Sequence, residues 1–411
     1  REQIDKIPAI YFVRRDVMYK YACKSCEGVD DAGERTGVIT ASMPKTLIPR
    51  SIASSGLVAD IIVSKFCDHL PLFRQEKMYA REGIALSRQT LSSIALLAAE
   101  KCARVSTLMR EDVKKSRFVG IDETPVQVLS EEGRGNTTKS WMWVCKAGSK
   151  EYPVTLFHYS PSRAHEVINE LLSGYQGIIQ SDEYGAYEAF LKGKPNISHA
   201  GCMAHARRKF VEAVKVTKSP LAQAIVAHIG KLYAIEEHCR EHNFSEEEVV
   251  RYRQEKAWPV LSEIKARLEK EAHHVAPKSL LGKAMSYFFD NWPRLILYLE
   301  HGFLPIDNNA VENAIRPFVV GRKNWLFSGS PRGARASSVL YSIIETAKNC
   351  GHEPYWYMRY LFEKLPYAQT DEEVRSLLPY HVKPDEIPAK LNVQNILEKV
   401  LSLKNKEVRT A

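Results

Sequence analysis

Apolar and polar positions change their spacing along this chain, and the changes mark out its elements. Across residues 52–104 the period is helical. Leu72 to Arg81 reads as one helix, with Pro71 suited to its first position and Gly83 as its stop. Ser87 is a good N-cap for a second helix. In that helix Leu91, Ile94, Ala95 and Ala98 recur at i, i+3, i+4 and i+7 and form one apolar stripe. Helix, short glycine turn and capped helix trace either a helix-turn-helix or an ordinary helical hairpin. In the first reading Arg88 and Gln89 stand near the start of the second helix, where base edges are read.

Ahead of this block, residues 1–50 read as short strands and loops, IYFVRRDVMYKYACKSCEG having alternating strand character. Behind it, RFVGIDETPVQVL, KSWMWVCKAG and YPVTLFHYS read as three successive strands joined by short polar turns. A helix from about Arg163 to Ser173 follows, and GIIQSDEYGAY is a buried strand ending at an acidic turn. After a short helix comes a strand around Asn196 to Ala200. Three hairpin-linked strands followed by α-β-α-β is the order of a ribonuclease-H-like sheet. Residues 203–303 return to a helical period, with a capping box at Ser245 and Glu248, and read as an insertion into the α/β pattern. Beyond them lie a short helix that Pro317 ends or kinks, a basic loop, and a long helix near 336–350 closed by Gly351. Thr370 and Glu373 form another capping box.

The expected fold class is therefore α/β: a ribonuclease-H-like mixed sheet with a helical insertion. A helical, helix-turn-helix-like region and half a zinc ribbon precede it. The expected boundaries are a partial zinc-ribbon-like segment at 1–50, a helical DNA-binding region at 51–112, and a catalytic domain at 113–210 and 304–350. The insertion spans 211–303 and a C-terminal helical tail 351–411.

Composition adds boundaries rather than detail. The 411 residues suggest two or three domains at roughly 150 residues each. With 45% hydrophobic and 26% charged residues the chain is ordinary globular protein. No apolar run approaches about 18 residues, which excludes a membrane-spanning helix, and no signal peptide is visible at the amino end. A net charge of +9 mildly favours a polyanionic partner. The eight cysteines do not make a disulfide framework in a chain this long, so a reducing cytoplasm is expected. Only Cys23 and Cys26 form a CxxC pair, which reads as half of a zinc site or as two thiols on a turn.

Three acidic residues stand out. Asp122 lies in the first long strand, in GIDETPV, and Asp182 ends the fourth, in QSDEYGAY. A carboxylate among apolar strand residues must be paired, protonated or metal-bound. In the expected sheet these strands are parallel neighbours, so the two carboxylates converge at one edge and repel unless a cation joins them. Taken singly, each is equally a turn or cap residue. Glu312, in DNNAVENAIRP, follows Asp307 as a candidate N-cap and sits four residues before Arg316. It is either half of a surface ion pair or the third carboxylate of a two-metal site. Two divalent ions in such a site would activate a water or hydroxyl oxygen and stabilise a leaving 3′ oxygen at phosphorus.

From Asn313 to Ile344 there is no acidic residue, while Arg316, Arg322, Lys323, Arg332 and Arg335 are interleaved with Trp325 and Phe327. Such a segment suits a nucleic-acid backbone and unpaired bases, or is a solvated basic face. A second basic cluster, Arg207, Arg208 and Lys209, follows CMAH. In CMAH the spacing of Cys202 and His205 is zinc-like, but no second ligand pair is evident, and His205 is expected as a hydrogen-bonding neighbour of the carboxylates.

Together these motifs resemble bacterial insertion-sequence transposases of the DDE class, specifically the insertion-sequence-sixty-six family. The resemblance rests on CDHLPLFRQEKMYAREGIALSRQTL at 67–91, GIDETPV at 120–126, QSDEYGAY at 180–187 and GCMAHARRKF at 201–210. It extends to IDNNAVENAIRPFVVGRKNWLFSGSPRGA at 306–334 and GHEPYWYMRYLFEKLP at 351–366. It implies a DNA transposase that cleaves and joins DNA at the ends of an insertion sequence by two-metal phosphoryl transfer. Asp122, Asp182 and Glu312 take the DDE positions, as catalytic residues and as ligands of two Mg2+ or Mn2+ ions, with His205 and Arg316 as auxiliaries. The implied partners are DNA (terminal inverted repeats and target), further copies of the chain on DNA, and companion proteins of the same element. The implied setting is the bacterial cytoplasm, at the nucleoid, away from membranes. The family carries further amino-terminal sequence with the first half of a zinc motif, so Zn2+ at Cys23 and Cys26 would occupy a partial site here. Two other readings use the same residues: an inactive, domesticated DNA-binding protein, and a ribonuclease-H-like nuclease without strand transfer. The three acids weigh against the first; the insertion and the helix-turn-helix-like segment weigh against the second.

Overall fold

A computed structural model describes residue 3 and residues 10–21, 39–149, 152–182 and 184–387. Residues 1–46 and 47–411 form two compact units. In the first, strand β1 (Lys20–Tyr21) pairs antiparallel with β2 (Ile39–Thr40). Cys23 and Cys26, the expected half zinc site, lie outside the described residues.

Four helices open the second unit: α1 (Ser55–Phe66), α2 (Leu72–Arg81), α3 (Arg88–Lys101) and α4 (Ala103–Lys114). The Ser87 hydroxyl accepts the Thr90 N–H at 3.1 Å and so caps α3. The expected stripe of Leu91, Ile94, Ala95 and Ala98 is buried. Pro71 stands at the cap of α2 rather than inside it, and Gly83 leaves that helix with φ of 78°.

Next come β3 (Phe118–Gln127), β4 (Lys139–Ala147), β5 (Val154–Ser160), α5 (His165–Leu171), β6 (Gly177–Gln180), α6 (Gly185–Leu191) and β7 (Ile197–Ala200). They build one mixed sheet in the order β5-β4-β3-β6-β7. The β3–β4 and β4–β5 pairs are antiparallel; β3–β6 and β6–β7 are parallel. The fold class is mixed α/β, with β3 at the centre of the sheet. Central position explains why β3 is buried along most of its length.

A helical block follows: α7 (Met203–Thr217), α8 (Pro220–Glu241), α9 (Glu246–Tyr252), α10 (Trp258–Glu271), α11 (Leu280–Asp290) and α12 (Trp292–Ile296). A π-helical turn, Arg253–Ala257, joins α9 to α10. The capping box of Ser245 and Glu248 is formed. The chain then returns to the sheet through α13 (Asn309–Trp325) and ends in α14 (Pro331–Asn349), α15 (Pro354–Lys364) and α16 (Asp371–Arg375). Helix α13 differs from expectation by running on past Pro317. Proline removes only the bond to the carbonyl four residues back, that of Asn313, whose exposed position lets water serve it. None of the helices among the described residues is long and apolar enough to cross a membrane.

Two apolar clusters result. One joins β3, β4 and β5 to α1, α3, α4 and the C-terminal helices, around Trp143, Phe157, Phe318 and Tyr341. The other joins Ile178 and Ala200 of the sheet to the helical block, around Phe210, Leu261 and Phe288. Inside the second lies a buried ion pair. The Arg253 guanidinium donates to both Glu236 oxygens at 2.8 and 2.6 Å, and to the carbonyls of Tyr298, His301 and Leu304 at 2.6, 2.8 and 3.1 Å. Such satisfaction of a buried cation is what makes its desolvation tolerable. Replacing Arg253 by Leu leaves Glu236 and three carbonyls without partners. That variant is expected to lose about 3–5 kcal/mol in urea unfolding; a change near zero would mean the block does not depend on this pair.

Candidate active site

Strand β3 alternates its side chains between two faces. Gly120, Asp122 and Thr124 share one face, and this is the face that meets α13. A Cβ added to Gly120 would lie 2.5 Å from Val311 Cγ2 and 2.8 Å from Asn308 Oδ1. Only a hydrogen fits there, so the start of α13 rests directly on the strand. The Asn308 side-chain amide donates to the Ile121 carbonyl at 3.2 Å, and its backbone N–H donates to Cys202 Sγ at 3.2 Å. Gln180, fully buried at the end of β6, donates to the carbonyls of Gly201 and Pro305 at 3.1 and 2.9 Å. The Met203 N–H closes the seam on the Ile306 carbonyl at 3.1 Å. These bonds tie the strands that carry Asp122 and Asp182 to the helix that carries Glu312.

The ladder between β3 and β6 leads towards both aspartates. Gly120 pairs with Gln180 across the parallel β3–β6 ladder, and Asp122 and Asp182 each follow two residues later. Asp182 Oδ1 accepts the Tyr184 N–H at 3.1 Å, which makes the acidic turn. The Asp122 carboxyl is pushed up to about 7, chiefly by burial and then by the charges of Glu123, Asp182 and Glu312; a bond from the Glu123 N–H acts the other way. Glu312 sits on the first turn of α13. It meets His205 Nε2 at 3.6 Å and the Arg208 guanidinium at 3.5 Å rather than Arg316, which is exposed. Burial and the nearby Arg208 lower the His205 imidazole below its usual range, and its Nδ1 is buried without a protein partner.

Sequence reasoning missed the opposite face of β3. Glu123 is buried there, bonded to Arg163 Nε at 2.6 Å and to the Tyr187 hydroxyl at 2.9 Å. The Arg163 guanidinium is stacked over the Tyr184 ring at 3.7 Å and near Trp141 at 4.7 Å. The acidic doublet Asp122-Glu123 was the available signal, since neighbours in a strand face opposite ways. Glu123 therefore adds its charge from behind the strand, while Asp182 and Glu312 add theirs to Asp122 as well. Arg163 is committed to Glu123 and Arg208 leans on Glu312, whereas Asp122 and Asp182 have no ion pair among the described residues. Among the described residues, no three His, Cys, Asp or Glu side chains are already gathered closely enough to hold an ion. The donor chemistry nevertheless fits a hard divalent cation, because the acidic groups at this edge offer carboxylate oxygens.

The basic residues divide by exposure. Arg88 and Gln89 are exposed at the start of α3, and Arg207, Arg316, Lys323 and Arg335 are exposed as well. Lys209 is drawn over the Tyr287 ring at 4.5 Å, and Arg332 pairs with Glu100 at 2.7 Å on the surface. Arg322 turns inward: its guanidinium donates to the Pro125 carbonyl and to Thr124 Oγ1, the latter at 3.0 Å. Trp325 also turns inward, edge-on to Phe318 at 5.4 Å.

Comparison with known families agrees with the motifs. The model of the transposase IS66 family matches residues 50–336, and that of the IS66 C-terminal element matches 342–380. This chain belongs to the IS66 transposase family. Among its relatives are three proteins of Sinorhizobium fredii (strain NBRC 101917 / NGR234), each described as uncharacterized. To y4jD it is 32% identical, covering 94% of this chain and 76% of that one. To y4qI it is 30% identical over 94% and 71% of the two chains, and to y4hP 31% over 84% and 64%.

Gly120 gives the most direct check on this arrangement. Gly120→Ala should cost about 1–3 kcal/mol, because Val311 and Asn308 must move. Adding Val311→Ala, which relieves the closer contact, should recover part of the loss in thermal unfolding. Full stability of the single variant would show that α13 does not rest on β3.

Proposed function

We propose that the chain is a DNA transposase that cleaves DNA at the ends of an insertion sequence and joins it to a target. Asp122, Asp182 and Glu312 are the acidic residues of its reacting centre, on a ribonuclease-H-like sheet. The observation that carries this reading is the register of β3 and β6 in a member of the IS66 transposase family. Continued two residues past Gly120 and Gln180, that register would bring two aspartates without ion pairs among the described residues to one edge, near the helix that bears Glu312. The strand order, three antiparallel strands followed by two parallel ones, supports the choice of fold.

Residues 113–210 and 304–350 then act as one catalytic domain, and 211–303 as the insertion between its parts. Asp122 and Asp182, with Glu312, would hold Mg2+ or Mn2+. When bound, two such ions supply the positive charge that activates an oxygen nucleophile and stabilises the leaving 3′ oxygen. The rest falls to the chain itself. Glu123 and Arg163 neutralise each other, so the second carboxylate of the doublet does not compete for ligands. Arg208 and His205 keep Glu312 near the strands while leaving it partly exposed. Arg207, Arg316, Lys323 and Arg335 offer exposed positive charge to the DNA backbone, and Arg88 and Gln89 offer donors at the start of α3. Arg322, Lys209 and Trp325 support those surfaces from within. Further copies of the chain assemble on the paired DNA ends.

Two experiments test this. Asp122→Asn and Asp182→Asn should each abolish magnesium-dependent cleavage and joining of the element's ends while leaving end binding nearly intact. Binding and catalysis falling together would make the aspartates structural. Neutralising Lys323 and Arg335 should weaken binding to every duplex and reduce the salt slope by about 0.9 for each phosphate no longer neutralised. An unchanged slope would remove this surface from the DNA path.

A further inference from the structure

Between α13 and α14 the chain makes a tip that the acidic site does not require. Leu326 has φ of 67° and ψ of −53°, and the Phe327 N–H donates to the Trp325 carbonyl at 2.9 Å. This is a γ-turn of the hand that L-residues rarely adopt, and a leucine at its centre is strained. Glycine would take the same conformation without that strain. Strain of this kind persists where the surroundings over-determine it, and it gathers at functional sites.

The surroundings here do so. The Leu326 N–H donates to the Arg322 carbonyl at 2.8 Å. On the other side the Ser328 N–H donates to the Gln127 carbonyl at 2.9 Å, and the Leu129 N–H to the Ser328 carbonyl at 2.9 Å. The backbone is fastened on both flanks while the side chains are held outward: Leu326 is 64% exposed and Phe327 43%. Exposed Arg316, Lys323 and Arg335 lie in the same segment, with no acidic residue from Asn313 to Ile344. Such one-sided charge suits a polyanion.

We propose that Leu326 and Phe327 form an apolar wedge that enters the base stack of the bound DNA and opens one base step. The proposal rests on the DNA-transposase reading and adds the part of the chain that deforms the substrate. Apolar side chains inserted between base pairs unstack and kink a duplex, and a ring such as that of Phe327 can then stack on the freed base. Position follows from β3. Ser328 bridges to Val128, six residues along the strand from Asp122. At about 3.3 Å per residue that is about 20 Å of extended chain. The opened step therefore lies away from the cleaved phosphate.

The test uses the full chain and a duplex carrying the element's own end, with 2-aminopurine placed in turn at each of the ten positions either side of the cut. Fluorescence should rise on binding at one position away from the cleaved phosphate, and Phe327→Ala should abolish the rise while the duplex stays bound. Leu326→Gly separates function from fold. It relieves the strained φ, so its thermal midpoint should hold or rise while the fluorescence signal falls. A residue with only a structural role would leave the signal unchanged. The wedge is overturned if the bound wild-type complex brightens at no position, or if Phe327→Ala brightens as the wild type does. It is also overturned if the variants alter the oligomeric state in light scattering but not the fluorescence, which would assign the tip to a protein contact. Failure of the wild type to bind the end at all would instead sink the transposase reading, and the wedge with it.

Discussion

Helix α13 runs alongside strand β3 and is fastened to it at three heights. At the start, Asn308 bonds to Ile121 and Val311 presses on the bare Cα of Gly120. Further along, Arg322 reaches Thr124 and the Pro125 carbonyl. Beyond the helix, Ser328 makes a bridge with Val128. Each contact advances in the same direction along both elements, so the helix cannot slide without breaking all three. The acidic edge and the basic tip are consequently two ends of one rigid unit. Where DNA lies on one end, its path over the other is constrained.

Charge at the acidic end is arranged by subtraction. Burial makes Asp122 and Glu123 costly to keep ionised without a partner, and Asp182 and Glu312 add their charge nearby. Two have partners: Glu123 has Arg163 and the Tyr187 hydroxyl, and Glu312 has Arg208. What remains is Asp182 and Asp122, whose carboxyl is pushed up to about 7 by burial first and then by the charges of Glu123, Asp182 and Glu312. Had Arg163 been directed at Asp122 instead, one of the two aspartates would be compensated and Glu123 would be buried without its cation.

Much of this was legible in the sequence because it rests on local rules. Strand alternation, the Ser87 cap, the capping boxes at Ser245 and Thr370 and the acidic turn at Asp182 depend on neighbours within a few residues. The order of elements was enough to expect the strands that lead to Asp122 and Asp182 to be parallel neighbours, although Asp182 lies two residues past the end of β6 rather than in it. What sequence could not give depends on tertiary packing. Arg322 and Trp325 look like exposed members of a basic aromatic segment, yet both turn inward, because α13 continues past Pro317 and carries them onto β3 and Phe318. Asn308 and Gln180 are ordinary polar residues until the chain returns from a block of about a hundred residues and their side-chain amides become donors at the seam. The strain at Leu326 is equally silent, since leucine is not a residue that advertises a positive φ.

The helical block, finally, has a mechanical bearing on the acidic edge. Arg253 holds the carbonyls of Tyr298, His301 and Leu304 while paired with Glu236. Leu304 is followed at once by Pro305, whose carbonyl takes the Gln180 amide, and then by Ile306, whose carbonyl takes the Met203 N–H. Asp307 accepts the Tyr233 hydroxyl from α8 at 2.7 Å, and Asn308 reaches Ile121. Each residue from Leu304 to Asn308 is thus gripped, either by the block or by the sheet. A long excursion ordinarily leaves the position of the returning chain loose, because closure entropy grows with loop length. Here the excursion folds around its own core and delivers Glu312 from a fixed point. On this account the block acts less as an added binding surface than as the brace that lets the third acid be supplied from far along the chain.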